Sequence, residues 1–175
     1  AIENWAPGDP KEDSRMGPVI SEPQWNKIQG LINSGIEQGA NLVTGGAGRP
    51  EGLEKGYYVK PTIFSNVTND MEIAREEIFG PVLSIIGYDS EEEAIEIAND
   101  TEYGLGGYVH SKDIEHARAV ASRVRAGYIS IKNAGLDLNA PFGGYKQSGN
   151  GREFGDQAFG EFLEYKSVLG YTPAA

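Results

Sequence analysis

The sequence contains no cysteine, which excludes a disulfide framework, a thiolate metal site and thiol chemistry within these residues. Histidine is almost as scarce. His110 and His116 are the only two, their separation is not a metal-ligand spacing, and no metal is expected. Apolar runs long enough to cross a bilayer are missing, and the opening residues AIENWAPGDP have neither the basic start nor the apolar stretch of a signal peptide. They also lack an initiator Met, so the chain is expected to begin inside a longer protein, with a cytoplasmic location. Basic charge is in deficit as well: 15 Lys and Arg against 26 Asp and Glu leave a formal net charge of -11. A phosphate backbone needs a basic footprint, so neither nucleic acid nor a membrane is expected as a partner.

What is present suits one α/β domain with a real core: 175 residues, 39% apolar and 23% charged. Helical and extended patterns alternate from residue 21 onward. Ser21 and Gln24 have capping-box spacing, and Trp25, Ile28, Leu31, Ile32 and Ile36 form an apolar stripe, predicting a helix over 22–38 that Gly39 stops. A strand over 40–44 leads to a Gly-rich connection (GGAGRPEG) expected in solvent. The segment 57–64 is extended, with Pro61 implying an edge position or an irregularity. A short helix is predicted over 71–78. VLSIIGY (82–88) is the continuous apolar run of a strand covered on both faces.

A second capping box, Ser90 with Glu93, opens a helix through residue 98. A strand over 105–110, a helix capped by Ser111 and a strand over 127–132 complete a strand-helix-strand pattern of right-handed crossovers in a mostly parallel sheet. Functional loops of such sheets lie beyond the carboxyl ends of the strands, which places 133–142 at a site mouth. A short helix over 152–159 and an extended, aromatic-rich segment over 162–171 follow.

EEIFGPV, residues 76–82, carries the most chemistry. An ionised carboxylate has two acceptor oxygens and can take hydrogen bonds from both hydroxyls of a ribose, and a phenyl ring two residues on can press against a flat heteroaromatic ring. Gly80 and Pro81 supply the turn that aims Glu77 and Phe79. Taken singly, Glu77 is an exposed helix-terminal carboxylate and Phe79 a core ring, the commonest placement of each residue type. Other glycine-rich stretches fail as phosphate cradles. In GGYKQSGNG, Gly149 is followed by Asn150 and Gly151 where Lys and Ser or Thr are required, and after Gly104 and Gly106 the third glycine of a dinucleotide fingerprint falls at Val109.

EEIFGPV resembles the signature of the NAD(P)-dependent aldehyde dehydrogenase superfamily. The chain is similar to that family also at GDP (8–10), MGPVIS (16–21), VKPTIF (59–64), TEYGL (101–105), AGYISIKN (126–133) and PFGGYKQSGNGRE (141–153), in family order over nearly the whole length. The resemblance implies that Glu77 holds the nicotinamide ribose and that Phe79 packs beside the nicotinamide, with Leu105 a further contact. It also places the loop 134–139 and Phe142 along the substrate tunnel, with Ala134, Asp137 and Leu138 as lining residues. Asp137 then either attracts a cationic or polyhydroxylated substrate or is an exposed loop aspartate. Phe142 is either a tunnel wall or a core ring after a turn. Glu153 matches a carboxylate that hydrogen-bonds through water toward the general base and so moves a proton away from the site, against an ordinary salt bridge with Arg152 or another surface base.

The family works through a cysteine thiolate that attacks the aldehyde, followed by hydride transfer and hydrolysis of the thioester. By motif order, that cysteine, the general-base Glu and the dinucleotide-binding domain all precede Ala1. The expected organisation is therefore the C-terminal part of a catalytic domain over 1–160, with an α/β fold of open, mostly parallel sheet and flanking helices, and a C-terminal strand or oligomerisation arm over 161–175. The expected parent oxidises an aldehyde to a carboxylic acid with NAD or NADP as a homo-oligomer, dimer or tetramer, and this chain alone is inactive. The alternative is a non-catalytic relative kept for assembly.

Overall fold

Helix α1 (Glu22–Glu37) begins where its cap predicts: the Ser21 side chain accepts a hydrogen bond from the Gln24 backbone N–H at 3.4 Å, and a proline occupies the first turn. Gly39, at φ +92, ends it. The computed structural model describes residues 5–12, 14–170 and 172. It divides into two compact units, Ala1–Asp89 and Ser90–Ala175.

In the first unit, strands β1 (Asn41–Thr44), β2 (Thr62–Ser65) and β3 (Val82–Ser84) form a sheet in the order β1-β2-β3, antiparallel between β1 and β2 and parallel between β2 and β3. The one-turn helix α2 (Glu72–Arg75) joins β2 to β3. Ile28, Ile32, Val59, Phe64, Ile73 and Ile78 make the core between α1 and this sheet. Burying each such side chain stabilises by about 1.5–3 kcal/mol. Ile36 departs from the predicted stripe and is 44% exposed.

Two further expectations are corrected, and a third holds in part. β2 is central, and Pro61 sits just before the ladder, where its missing N–H costs no strand bond. The run VLSIIGY is not covered on both faces: its ladder stops at Ser84, and Leu83 and Ile85 are 55% and 46% exposed while Val82 and Ile86 pack on the core. The glycine-rich connection is exposed at Gly45, Arg49, Glu51 and Gly52 but buried at Gly46, and it is tied down. Gly46 N–H donates to Thr62 Oγ1 at 3.0 Å, Gly48 N–H to Gln29 Oε1 at 2.5 Å, and Lys60 Nζ to the Ala47 carbonyl at 2.9 Å.

The second unit runs α3 (Glu91–Asn99), β4 (Gly106–Val109), α4 (Ile114–Ala121) and β5 (Tyr128–Ile131), with β4 and β5 paired in parallel across the α4 crossover. Thus β4 and β5 form their own two-stranded sheet, not a continuation of the first. The α4 cap is Asp113, whose side chain accepts from the N–H groups of Glu115 and His116, while Ser111 accepts from Asp113 N–H one step earlier. The helix expected over 152–159 is displaced to a 3-10 helix at Asp156–Phe162, because Glu153 is drawn into an antiparallel bridge with Phe142 and Gly155 takes φ +61. Residues 163–170 have no regular structure, and Tyr165 and Leu169 are about nine-tenths exposed; Tyr171, the last residue of the predicted extended segment, lies outside the described residues. No helix among the described residues is long and apolar enough to cross a membrane.

Candidate functional site

Residues 76–82 form a turn whose backbone is held from several directions. Helix α2 closes at Arg75 and Glu76 is already extended (φ -93, ψ 137), so Glu77 follows the helix instead of ending it as expected. Ile78 anchors the turn by burying its side chain in the core. Phe79 then takes φ +54, a conformation that costs a non-glycine residue about 1–3 kcal/mol, and leaves its ring 70% exposed instead of in the core. Gly80 passes so close to helix α1 that a Cβ there falls 2.5 Å from Ile28 Cδ1. The Pro81 carbonyl accepts from Thr62 N–H at 2.9 Å, starting the β2–β3 pairing.

Side chains of α1 complete the hold. Gln24 Nε2 donates to the carbonyls of Ile78 at 3.0 Å and Phe79 at 3.1 Å, and Lys27 Nζ donates to the Glu77 carbonyl at 2.8 Å. The capping-box spacing of Gln24 is therefore only half used: its backbone N–H bonds to Ser21, while its amide serves the turn. Among the described residues the exposed Glu77 carboxylate has no hydrogen-bond or ion-pair partner. A carboxylate with both oxygens free, two residues from an exposed ring on a fixed backbone, fits a vicinal diol attached to a flat heterocycle.

In the second unit, the loop beyond the carboxyl end of β5 opens a cavity of about 460 Å³ lined by Tyr108, Tyr128, Ala134, Leu136, Asp137 and Phe142, among others. The half-buried Phe142 ring lies 5.6 Å from the Tyr128 ring and 6.2 Å from that of Phe154. A hydrogen bond with Tyr108, then burial, raises the Tyr128 hydroxyl above its ordinary value. Leu138 is not among the lining residues of this cavity; Leu136 is. Asp137 turns one carboxylate oxygen inward, accepting from the backbone N–H of Asn139 at 2.9 Å and its side-chain amide at 3.1 Å.

Phe142 also borders a second cavity, about 650 Å³, together with Leu105, Arg152, Glu153, Phe154 and Phe162. Phe142 and Glu153 exchange two backbone hydrogen bonds of 2.7 Å. Arg152 does not pair with Glu153: its guanidinium donates to the carbonyls of Gly144, Asn150 and Gly151 and lies over the Tyr145 ring. Leu105, Phe142 and Glu153 are thus brought together, and Ala134 and Asp137 share the smaller cavity with Phe142. Glu77 and Phe79 belong to the first unit.

The segment GGYKQSGNG staples the second unit. Lys146 Nζ donates to the carbonyls of Asn99 at 2.8 Å and Thr101 at 2.9 Å, Gln147 N–H to Glu102 O at 3.0 Å, and Ser148 Oγ accepts from Gly104 N–H at 3.0 Å. Gly127 lets the same segment approach, since a Cβ there meets the Gly143 carbonyl oxygen at 1.5 Å. Among the described residues no three or more His, Cys, Asp or Glu are grouped to hold a metal ion. Sequence reasoning missed Gln24, Lys27 and Tyr128. The first was explained away by its cap spacing, and the others had no local signal because their partners lie 50 residues and 20 residues distant.

Comparison with known proteins identifies the family. The profile of the aldehyde dehydrogenase family matches residues 1–168. A putative aldehyde dehydrogenase of Staphylococcus aureus (strain USA300) is 58% identical over 165 residues, covering 94% of this chain and 35% of the relative. Among solved structures, a mutant of aldehyde dehydrogenase C from Pseudomonas syringae in complex with NAD+ and octanal superposes with a TM-score of 0.94 at 51% identity, covering 99% of this chain and 36% of that one. The Mycobacterium tuberculosis aldehyde dehydrogenase complexed with NAD+ gives 0.90 at 46% identity, covering 98% and 36%. The chain thus spans about a third of the length of the relatives it matches.

Proposed function

Because this chain belongs to the aldehyde dehydrogenase family, we propose that it serves as the C-terminal portion of a catalytic domain in a larger enzyme that oxidises an aldehyde to a carboxylic acid with NAD+ or NADP+. The observation that carries this reading is the turn at 76–82, with its unpartnered carboxylate and its exposed ring on a backbone held from outside at the carbonyls of residues 77, 78, 79 and 81.

The bound nicotinamide supplies the hydride acceptor. The two Glu77 oxygens accept hydrogen bonds from the hydroxyls of the nicotinamide ribose, and Phe79 covers one side of the nicotinamide ring, with Leu105 a further contact. Phe142, Ala134 and Asp137 form part of the substrate wall, with Leu136 lining it in place of Leu138, and the apolar character of Phe142 and its neighbours suits an aldehyde with an apolar chain. The octanal held by the Pseudomonas syringae relative supports that class. Glu153 relays a proton toward solvent through water. The whole protein is a cytoplasmic homo-oligomer, and 161–175 contributes to its assembly.

In the full-length enzyme, Glu77→Gln keeps the shape and removes the charge that strengthens both ribose hydrogen bonds. The expected result is hydride transfer slowed at least about tenfold in a single turnover, with hydrolysis of the acyl-enzyme little changed. An unchanged single-turnover rate overturns the assignment.

A further inference from the structure

We propose that Gln24 is a positioning residue for the cofactor-binding turn. Its amide ties the first turn of α1 to the backbone that carries Glu77 and Phe79, and so sets where those side chains stand. This rests on the reading of Glu77 and Phe79 given above.

The geometry is specific. Both Nε2 hydrogens of one amide are used on consecutive carbonyls, Ile78 O at 3.0 Å and Phe79 O at 3.1 Å. Those carbonyls flank the one residue of the turn in the left-handed region, Phe79 at φ +54. A left-handed phenylalanine relaxes toward ordinary backbone unless its neighbours over-determine it. Here the restraints are the buried Ile78 side chain before it, Gly80 against Ile28 after it, and the Gln24 amide across both carbonyls. Relaxation of φ at residue 79 swings the ring and displaces Glu77 two residues earlier. Lys27, one turn along α1, assists at the Glu77 carbonyl. The two hydrogen bonds together are comparable in strength to the strain they oppose.

Position 24 also permits a clean separation of roles. It is the third residue of α1, where glutamate is favoured: a Glu there completes the capping box with Ser21 and suits the helix dipole. A carboxylate, however, has no hydrogen to donate to carbonyls. Gln24→Glu therefore supports the helix while releasing the turn, and Gln24→Met releases the turn without adding charge.

The test compares Gln24→Glu, Gln24→Met and Glu77→Gln in the full-length enzyme by thermal melting, by hydrogen exchange without cofactor at the amides of Thr62 and Val82, and by calorimetric Kd for NAD+. Both amides donate to carbonyls of the turn, Thr62 N–H to Pro81 O and Val82 N–H to Gly80 O. Both Gln24 variants are expected to accelerate exchange at these amides about tenfold and to raise Kd about tenfold, with exchange in β4 and β5 and the melting temperature little changed. Unchanged exchange at Thr62 and Val82 overturns the proposal, as does faster exchange with an unchanged Kd. An effect of Gln24→Glu that Gln24→Met does not share assigns it to charge and also overturns it. Faster exchange throughout the chain with a lowered melting temperature makes Gln24 a general stability residue and overturns it too. Failure of the ribose reading looks different: Glu77→Gln then leaves Kd and the hydride rate unchanged while the Gln24 variants still raise Kd, which supports positioning that acts through Phe79.

Discussion

At the scale of single residues, side chains that look alike in composition divide by backbone conformation. Phe64 is fully buried, whereas Phe79 is 70% exposed because a left-handed φ turns it away from the core that Ile78 enters. Phe142 lies between these extremes, half-buried and shared by two cavities. On the proposed reading, its ring provides contact area that only a larger aldehyde reaches. Phe142→Ala in the full-length enzyme is therefore expected to raise KM several-fold for long or aromatic aldehydes and little for the smallest ones. Melting must be followed in parallel, since truncating a well-packed Phe costs about 3–5 kcal/mol. Equal effects across aldehyde size assign Phe142 to packing.

At the scale of elements, the caps decide where helices begin more sharply than the apolar stripes do. Ser21 and Ser90 start α1 and α3 as their spacing predicts, with Ser90 Oγ accepting from Glu93 N–H at 3.2 Å. At α4 two cap residues compete. Asp113 prevails because its carboxylate reaches two N–H groups, those of Glu115 and His116, leaving Ser111 to the preceding turn. Ser90→Ala removes the acceptor at the start of α3, whose first turn is acidic (Glu91, Glu92, Glu93). The expected loss is about 1 kcal/mol, seen as a lowered denaturation midpoint with the denaturant dependence unchanged. Ser111→Ala is expected to cost less, which checks the reassigned α4 cap.

At the scale of the whole molecule, the chemistry and the chain are not coextensive. The described residues present an unpartnered carboxylate beside an exposed ring, and cavities with aromatic walls, but the 175 residues contain no thiol. The isolated chain is expected to produce no NADH or NADPH from aldehydes, because placing reactants contributes only part of a barrier whose nucleophile must come from elsewhere. Sustained aldehyde-dependent absorbance at 340 nm in a clean preparation, abolished by Glu77→Gln, refutes this.

The family, the starts of α1 and α3 and the position of the turn were legible along the chain because each shows in local patterns: a Ser before an N–H three residues on, an apolar residue every third or fourth place, a seven-residue motif. Tertiary structure alone decided the rest. VLSIIGY reads as doubly covered because periodicity reports apolar content, not what lies over it, and the sheet it joins leaves Leu83 and Ile85 open. GYISIK and the run before it read as parts of one sheet because local sequence carries no record of which strands share a ladder. Gln24 satisfies a local cap pattern, yet its amide bonds to residues 54 and 55 positions away. A contact made across that distance depends on both segments being folded first, so no local pattern announces it.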